Sequence, residues 1–195
     1  MKSSPDRPAP LDPSLLHRVA RGDEQAFEDL YGRSSPVLYA LVLRILHDPD
    51  EAAEVLQDLY RDVWRKAGSY DAQRGSPMAW LVTMVRSRAI DRLRSSATQS
   101  QRETDSIEDM PAGDLPDRAP DPFEISADQE QRELVAKAMA ELPAAQQEAL
   151  ELAFYGGLTH TQIAVRLNQP IGTIKTRIKL GLDKLKAALR GPQEA

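Results

Sequence analysis

The chain has 195 residues, 41% of them hydrophobic and 5% aromatic, and a formal net charge of −5. That length suits one medium domain or two small ones with a mainly aliphatic core. The absence of cysteine excludes disulfides, thiolate zinc sites, iron–sulfur ligation and cysteine nucleophiles, and His17, His47 and His160 are too far apart for metal-ligand spacing.

The first residues, MKSSPDRPAP, are polar and Pro-rich with no apolar signal core, and residues 1–11 are expected to be disordered. From Asp12 to Ser95 the pattern is helical. Asp12 is a candidate N-cap with Pro13 at N1, and Gly22 a stop. A helix from about Glu24 to Tyr31 follows, and another restarts at Pro36 after a Ser cap. Its apolar run, VLYALVLRIL, contains Arg44 and falls short of the roughly 18–20 residues that span a bilayer. No membrane insertion is expected, and the chain reads as cytoplasmic. Asp48 caps a helix with Pro49 at N1 that ends at Gly68, and Ser76 caps one with Pro77 at N1. No period-2 strand pattern stands out.

Residues 96–127 are Pro-rich, acidic and poor in large apolar groups, which predicts a linker. A second helical block, residues 128–190, begins after Ser126 with Gln129 as capping-box partner. Pro143 opens a helix stopped by Gly156 and Gly157, and residues 191–195 form a tail. The fold class is therefore all-α, two small helical domains joined by an acidic linker.

Charge is uneven along this frame. Residues 96–128 carry nine acids and two arginines, net −7, whereas residues 158–195 are net +5 and residues 72–95 net +4. Fields fall off over about 8 Å at physiological salt, so local sign matters more than the total for partner choice.

The stretch LTHTQIAVRLNQPIGTIKTRIKLGLDKLKAAL reads as a helix-turn-helix. Thr159 and Gln162 form a capping box, and Pro170 breaks the first helix at the residue before it. The second helix is expected to bury Ile174, Ile178, Leu182, Leu185 and Leu189. Thr173, Lys175, Thr176, Arg177 and Lys179 occupy its first two turns, where a recognition helix enters the major groove. The alternative is a solvated basic face. The helix dipole accounts for Lys184, Lys186 and Arg190 near the C-terminus but not for Lys175 and Arg177 near the N-terminus.

Upstream, Glu51, Glu54, Asp58 and Asp62 line one side of a helix, either as a solvated face or as a docking surface for a basic partner. The helix after Ser76 buries Met78, Leu81, Val82, Val85, Ala89 and Leu93, and carries Arg86, Arg88, Arg92 and Arg94. With Arg74 in the polar loop before it, that suits a nucleic-acid backbone or single strand, and Trp80 reads as a core anchor.

The order DEAAEVLQDLYRDVW, SYDAQRGSPMAWLVTMVRSRAIDRLRS, acidic linker, then LPAAQQEALELAFYGGLTHTQIAVRLNQPIGTIKTRIKLGLDKL resembles the bacterial sigma-70 family. It is most similar to the extracytoplasmic-function (ECF) group, and within that to sigma-K-type factors. The resemblance implies region 2 over residues 12–95 and region 4 over residues 128–190. It implies docking on the β′ clamp helices of core RNA polymerase through Glu51, Glu54, Gln57, Asp58, Arg61 and Asp62, with region 4 on the β flap. Arg74, Arg86, Ser87, Arg88, Arg92 and Arg94 would hold the melted minus-ten element. Thr173, Lys175, Thr176, Arg177 and Lys179 would read the minus-thirty-five element. Promoter DNA and an anti-sigma factor are the other implied partners, and the free chain is expected to be a monomer. The linker would occupy the polymerase channel that RNA later fills. Ser87 stands where many members carry Asn, and Gly181 where many have Ala.

No Gly-rich phosphate loop, metal cluster or nucleophile constellation is apparent, so no enzyme activity, catalytic residue, metal or cofactor is expected. The rival reading is a helix-turn-helix regulator that binds duplex DNA without polymerase. It leaves the paired acidic and arginine-rich helices upstream without a role.

Overall fold

The structure, a computed structural model, describes residues 11–103 and 129–190. All regular elements among them are helical, as expected, and the chain divides between Ala127 and Asp128 into two compact units.

In the N-terminal unit, Asp12 caps α1 (Pro13–Val19) by accepting from the Ser14 N–H at 2.7 Å. Leu11 is buried here, although it was expected to belong to a disordered tail; residues 1–10 lie outside the described residues. Gly22 takes φ +82° and lets the chain turn into α2 (Glu24–Leu46). Asp23 caps α2, accepting from the Ala26 N–H at 3.0 Å and from Arg18 Nε at 2.8 Å.

The break predicted between Tyr31 and Pro36 does not occur, and α2 runs unbroken through Pro36. Ala26, Leu30, Ser34, Leu38, Leu41 and Ile45 are all buried along one stripe that continues across the proline. Proline in a helix interior costs about 3 kcal/mol locally. Burying one large aliphatic side chain is worth about 1.5–3 kcal/mol, so several on both sides of Pro36 outweigh the local preference.

Ser34 is the only buried polar residue among those described, and it is fully satisfied. Its hydroxyl donates to the Leu30 carbonyl at 2.5 Å, leaving its lone pairs to accept from Tyr60 Oη at 2.6 Å. Burial pushes the Tyr60 phenol far above its ordinary pKa, so it stays a donor. Tyr60→Phe should therefore destabilise the unit by only about 0.5–1.5 kcal/mol in a urea titration, since Ser34 keeps Leu30 as a partner. A larger loss would mean that the bond to Leu30 does not hold by itself.

Asp48 caps α3 (Pro49–Lys66), accepting from the Asp50 and Glu51 N–H groups, each at 2.9 Å. Its core face is Ala52, Val55, Leu56, Leu59, Tyr60 and Val63. Ser76 Oγ accepts from the Ala79 N–H at 3.3 Å at the start of α4 (Pro77–Glu103). Leu81, Val85, Ala89 and Ile90 of α4 are buried against α2 and α3, with Met78, Val82 and Leu93 half-buried. The helix continues to Glu103, past the Ser95 end expected for it and into the stretch read as linker. The rest of that stretch, residues 104–127, and Ser126 with it, lies outside the described residues.

The C-terminal unit comprises α5 (Gln129–Ala140), α6 (Ala144–Phe154), α7 (His160–Arg166) and α8 (Ile171–Arg190). Leu142, Ala149, Leu150, Ile163, Ile174 and Ile178 form its core, with Leu158, Leu167 and Leu185 packed around them. Two of the five positions expected to be buried on α8 are not: Leu182 is 44% and Leu189 45% exposed. Gly181 takes the inward place, so the inward line runs Ile174, Ile178 and Gly181, with Leu185 half-buried at its end. A Cβ on Gly181 would lie 2.7 Å from Leu150 Cδ1, so any side chain there would require the buried Leu150 side chain to shift. Glycine forfeits about 1 kcal/mol of helix propensity against alanine, which this close packing offsets.

Candidate functional site

The acidic side of α3 and the basic side of α4 face each other along one seam. Asp62, with only 18% of its side chain exposed, accepts from Lys66 Nζ at 2.8 Å and is paired with Arg88. Its carboxyl is held below the usual range first by the Lys66 hydrogen bond, with the Arg88 charge adding to it. Arg92 is paired with Glu54, and its Nε lies 3.5 Å from Glu51. The Glu54 hydrogen bond and charge raise the Arg92 pKa further. Asp58 is paired within its own helix to Arg61.

The six residues read as a minus-ten surface therefore do not form one face. At about 100° per residue, Arg86 lies about 160° round α4 from Arg88, and Arg94 as far from Arg92. Arg88 and Arg92 are engaged by α3, whereas Ser87 and Arg94 are exposed on another side and Arg86 is half-buried. Desolvation, then the nearby Arg94 charge, lowers the Arg86 pKa. Arg74 is exposed in the loop before α4. That loop is held by Tyr70, whose hydroxyl donates to the Gly75 carbonyl at 2.8 Å, and by Asp71, which accepts from the Gln73 N–H at 2.9 Å. Trp80 is half-buried with its ring edge-on to Tyr70 at 5.8 Å, in keeping with an anchor.

The α3 set is divided as well. Glu54, Gln57 and Arg61 are exposed and line an open groove between α2 and α3, floored by Phe27, Tyr31, Tyr39, Tyr60 and Trp64. Phe27 packs edge-on to Tyr60 and Trp64 with centroids 6.0 and 5.2 Å apart, and Trp64 and Tyr31 remain 39% and 47% exposed. Sequence reasoning missed this groove. Its signal was there, in aromatics four apart on each of two helices, Phe27 and Tyr31, Tyr60 and Trp64.

In the C-terminal unit the capping box is present: the Thr159 N–H donates to Gln162 Oε1 at 2.8 Å, and the Gln162 N–H to Thr159 Oγ1 at 3.3 Å. Asn168, at φ +48°, turns the chain from α7 into α8. On α8, Lys175 and Lys179 form one exposed line, and Thr173 and Arg177, half-buried, form another about 160° away. Thr176 stands between them, exposed, with its hydroxyl donating to the Gly172 carbonyl at 2.9 Å and a lone pair still free to accept. Arg177 donates to Gln169 Oε1 at 3.5 Å, which ties it to the turn. A helix with a small polar residue at its centre, Lys175 and Lys179 on one flank and Arg177 on the other suits a groove that offers both base edges and phosphates.

Residues 30–99 match the family pattern described as Sigma-70 region 2, and residues 132–185 match Sigma-70, region 4. The chain belongs to the sigma-70 family. This sigma factor is 42% identical over 178 residues to the ECF RNA polymerase sigma factor SigK of Mycobacterium sp. (strain KMS), covering 90% of this chain and 89% of the relative. It is 37% identical over 192 residues to the protein of the same name from Mycobacterium ulcerans (strain Agy99), covering 97% and 98%. Among solved structures it is similar to Rhodobacter sphaeroides SigE in complex with the anti-sigma ChrR, at 34% identity and a TM-score of 0.46, covering 89% and 95%. The region 2 match contains the α3–α4 seam and the loop before α4, and the region 4 match contains α7 and the first turns of α8. Among the described residues, no helix of this sigma factor is long and apolar enough to cross a membrane.

Proposed function

We propose that this ECF sigma factor, acting in the cytoplasm, carries core RNA polymerase to a two-part promoter and opens it, while the bond chemistry is left to the polymerase. The observation that carries the reading is the pairing, in one chain, of a region 2 unit having an exposed α3 face with a region 4 unit presenting a helix flanked by cations. The α3 set, Glu51, Glu54, Gln57, Asp58, Arg61 and Asp62, docks on the β′ clamp helices. Its exposed members, Glu54, Gln57 and Arg61, are best placed for first contact. The loop with Arg74 and the α4 residues Arg86, Ser87, Arg88, Arg92 and Arg94 hold the melted minus-ten strand. On α8, Lys175 and Lys179 take phosphates, while Thr173, Thr176 and Arg177 set the upstream preference. Region 4 rests on the β flap, and an anti-sigma factor restrains the whole, both by family resemblance.

The test is co-elution of the purified chain with core polymerase on gel filtration. Binding that weakens when Glu54 and Asp58 are reversed to lysine supports the reading, and no binding to core by the native chain contradicts it. For region 4, Arg177→Ala in the holoenzyme should weaken upstream-element binding about tenfold and relax its sequence preference. An unchanged preference in a binding-site selection would remove Arg177 from the reading set.

A further inference from the structure

The two ion clusters on the α3–α4 seam differ in sign. Asp62 serves two cations, Arg88 and Lys66, which leaves that cluster one positive charge in excess. Arg92 serves two carboxylates, Glu51 and Glu54, which leaves that cluster one negative charge in excess. Glu51 and Glu54 are one turn apart on α3, and both reach the same guanidinium on α4. We propose that Glu51 and Glu54 mask Arg92 from nucleic acid in the free chain.

A phosphate approaching Arg92 meets two carboxylates against one guanidinium, and two of its three nitrogens, Nε and Nη2, already face carboxylate oxygens. To bind there, a strand must displace both carboxylates, and its apparent affinity is reduced by the fraction of chains in which they are released. The cluster is partly exposed, with 36%, 34% and 55% of the Arg92, Glu51 and Glu54 side chains accessible, so each contact is individually weak and can open. A cationic surface that takes up Glu51 and Glu54 frees Arg92 for the strand. The masking rests on the proposal that Arg92 contacts the strand, and this consequence also on the proposal that α3 is the docking helix. Docking and strand capture both require the two carboxylates to leave Arg92, so each would favour the other.

The masking is tested without polymerase, so its failure leaves the sigma reading standing. The full chain is titrated against a fluorescein-labelled oligothymidylate of about 20 nucleotides, longer than typical single-strand sites, at low salt and followed by anisotropy. Glu51→Gln with Glu54→Gln keeps side-chain shape and should tighten binding about three- to tenfold beyond a control in which Glu28→Gln and Asp29→Asn make the same change of net charge on α2. Adding Arg92→Gln should abolish that extra gain. A gain no larger than the control's, or one that survives Arg92→Gln, overturns the proposal.

Discussion

A Leu59→Ala chain is expected to lose about 2–5 kcal/mol of stability in its N-terminal unit. Leu59 is fully buried at the centre of the α3 core line, with Val55 and Val63 a turn away on either side and α2 and α4 packed against it. Truncation removes the burial of several methyl and methylene groups and leaves a cavity that three helices cannot all move to fill. A domain of this size has about 5–15 kcal/mol in total, so the loss is a large share. Both tryptophans, Trp64 and Trp80, belong to this unit, so fluorescence-monitored urea unfolding reports it alone. The midpoint should fall with the slope unchanged. A shift below about 1 kcal/mol would show that the three-helix core is not packed as described.

The second large effect is expected at Gly181, where valine should destabilise the C-terminal unit by about 1–3 kcal/mol. The first added carbon already falls 2.7 Å from Leu150 Cδ1, and Leu150 is itself buried. Valine recovers a few tenths of a kcal/mol of helix propensity, too little to offset the overlap. Because α8 carries the residues proposed to read the upstream element, separation of α6 from α8 should also weaken duplex binding by the holoenzyme. Leu150→Ala in the Gly181→Val background should restore part of the stability, as measured by circular dichroism or by hydrogen exchange of α8 amides. If Gly181→Val were as stable as the native chain, the Leu150 side chain would have room to move aside and Gly181 would not be required by packing.

What could be read in advance follows from the range of the interactions. The caps at Asp12, Asp48 and Thr159 were legible because a cap is settled within three residues. The α2 break was misread because proline acts locally, while the buried stripe that holds the helix together depends on α3 and α4. On α8, leucines advertised burial and a glycine did not. The glycine nevertheless takes the inward position, since the inter-helix distance, not hydrophobicity, decides which residue fits there. The charged helices were legible as charged but not as partners. Asp62 and Arg88 are 26 residues apart, and Glu54 and Arg92 are 38 apart, a pairing that composition cannot reveal. This pairing alters the site most. It sets two of the proposed strand-binding arginines against carboxylates proposed for docking.

The two units are proposed to act together, through polymerase, on one promoter. Run-off transcription with core polymerase on a library of promoter fragments tests it most directly. Transcripts should appear only with this sigma factor, start at defined positions, and depend on both an upstream and a minus-ten element. No promoter-specific transcripts with core, together with tight sequence-specific duplex binding by the chain alone, would contradict it and favour a regulator that works without polymerase.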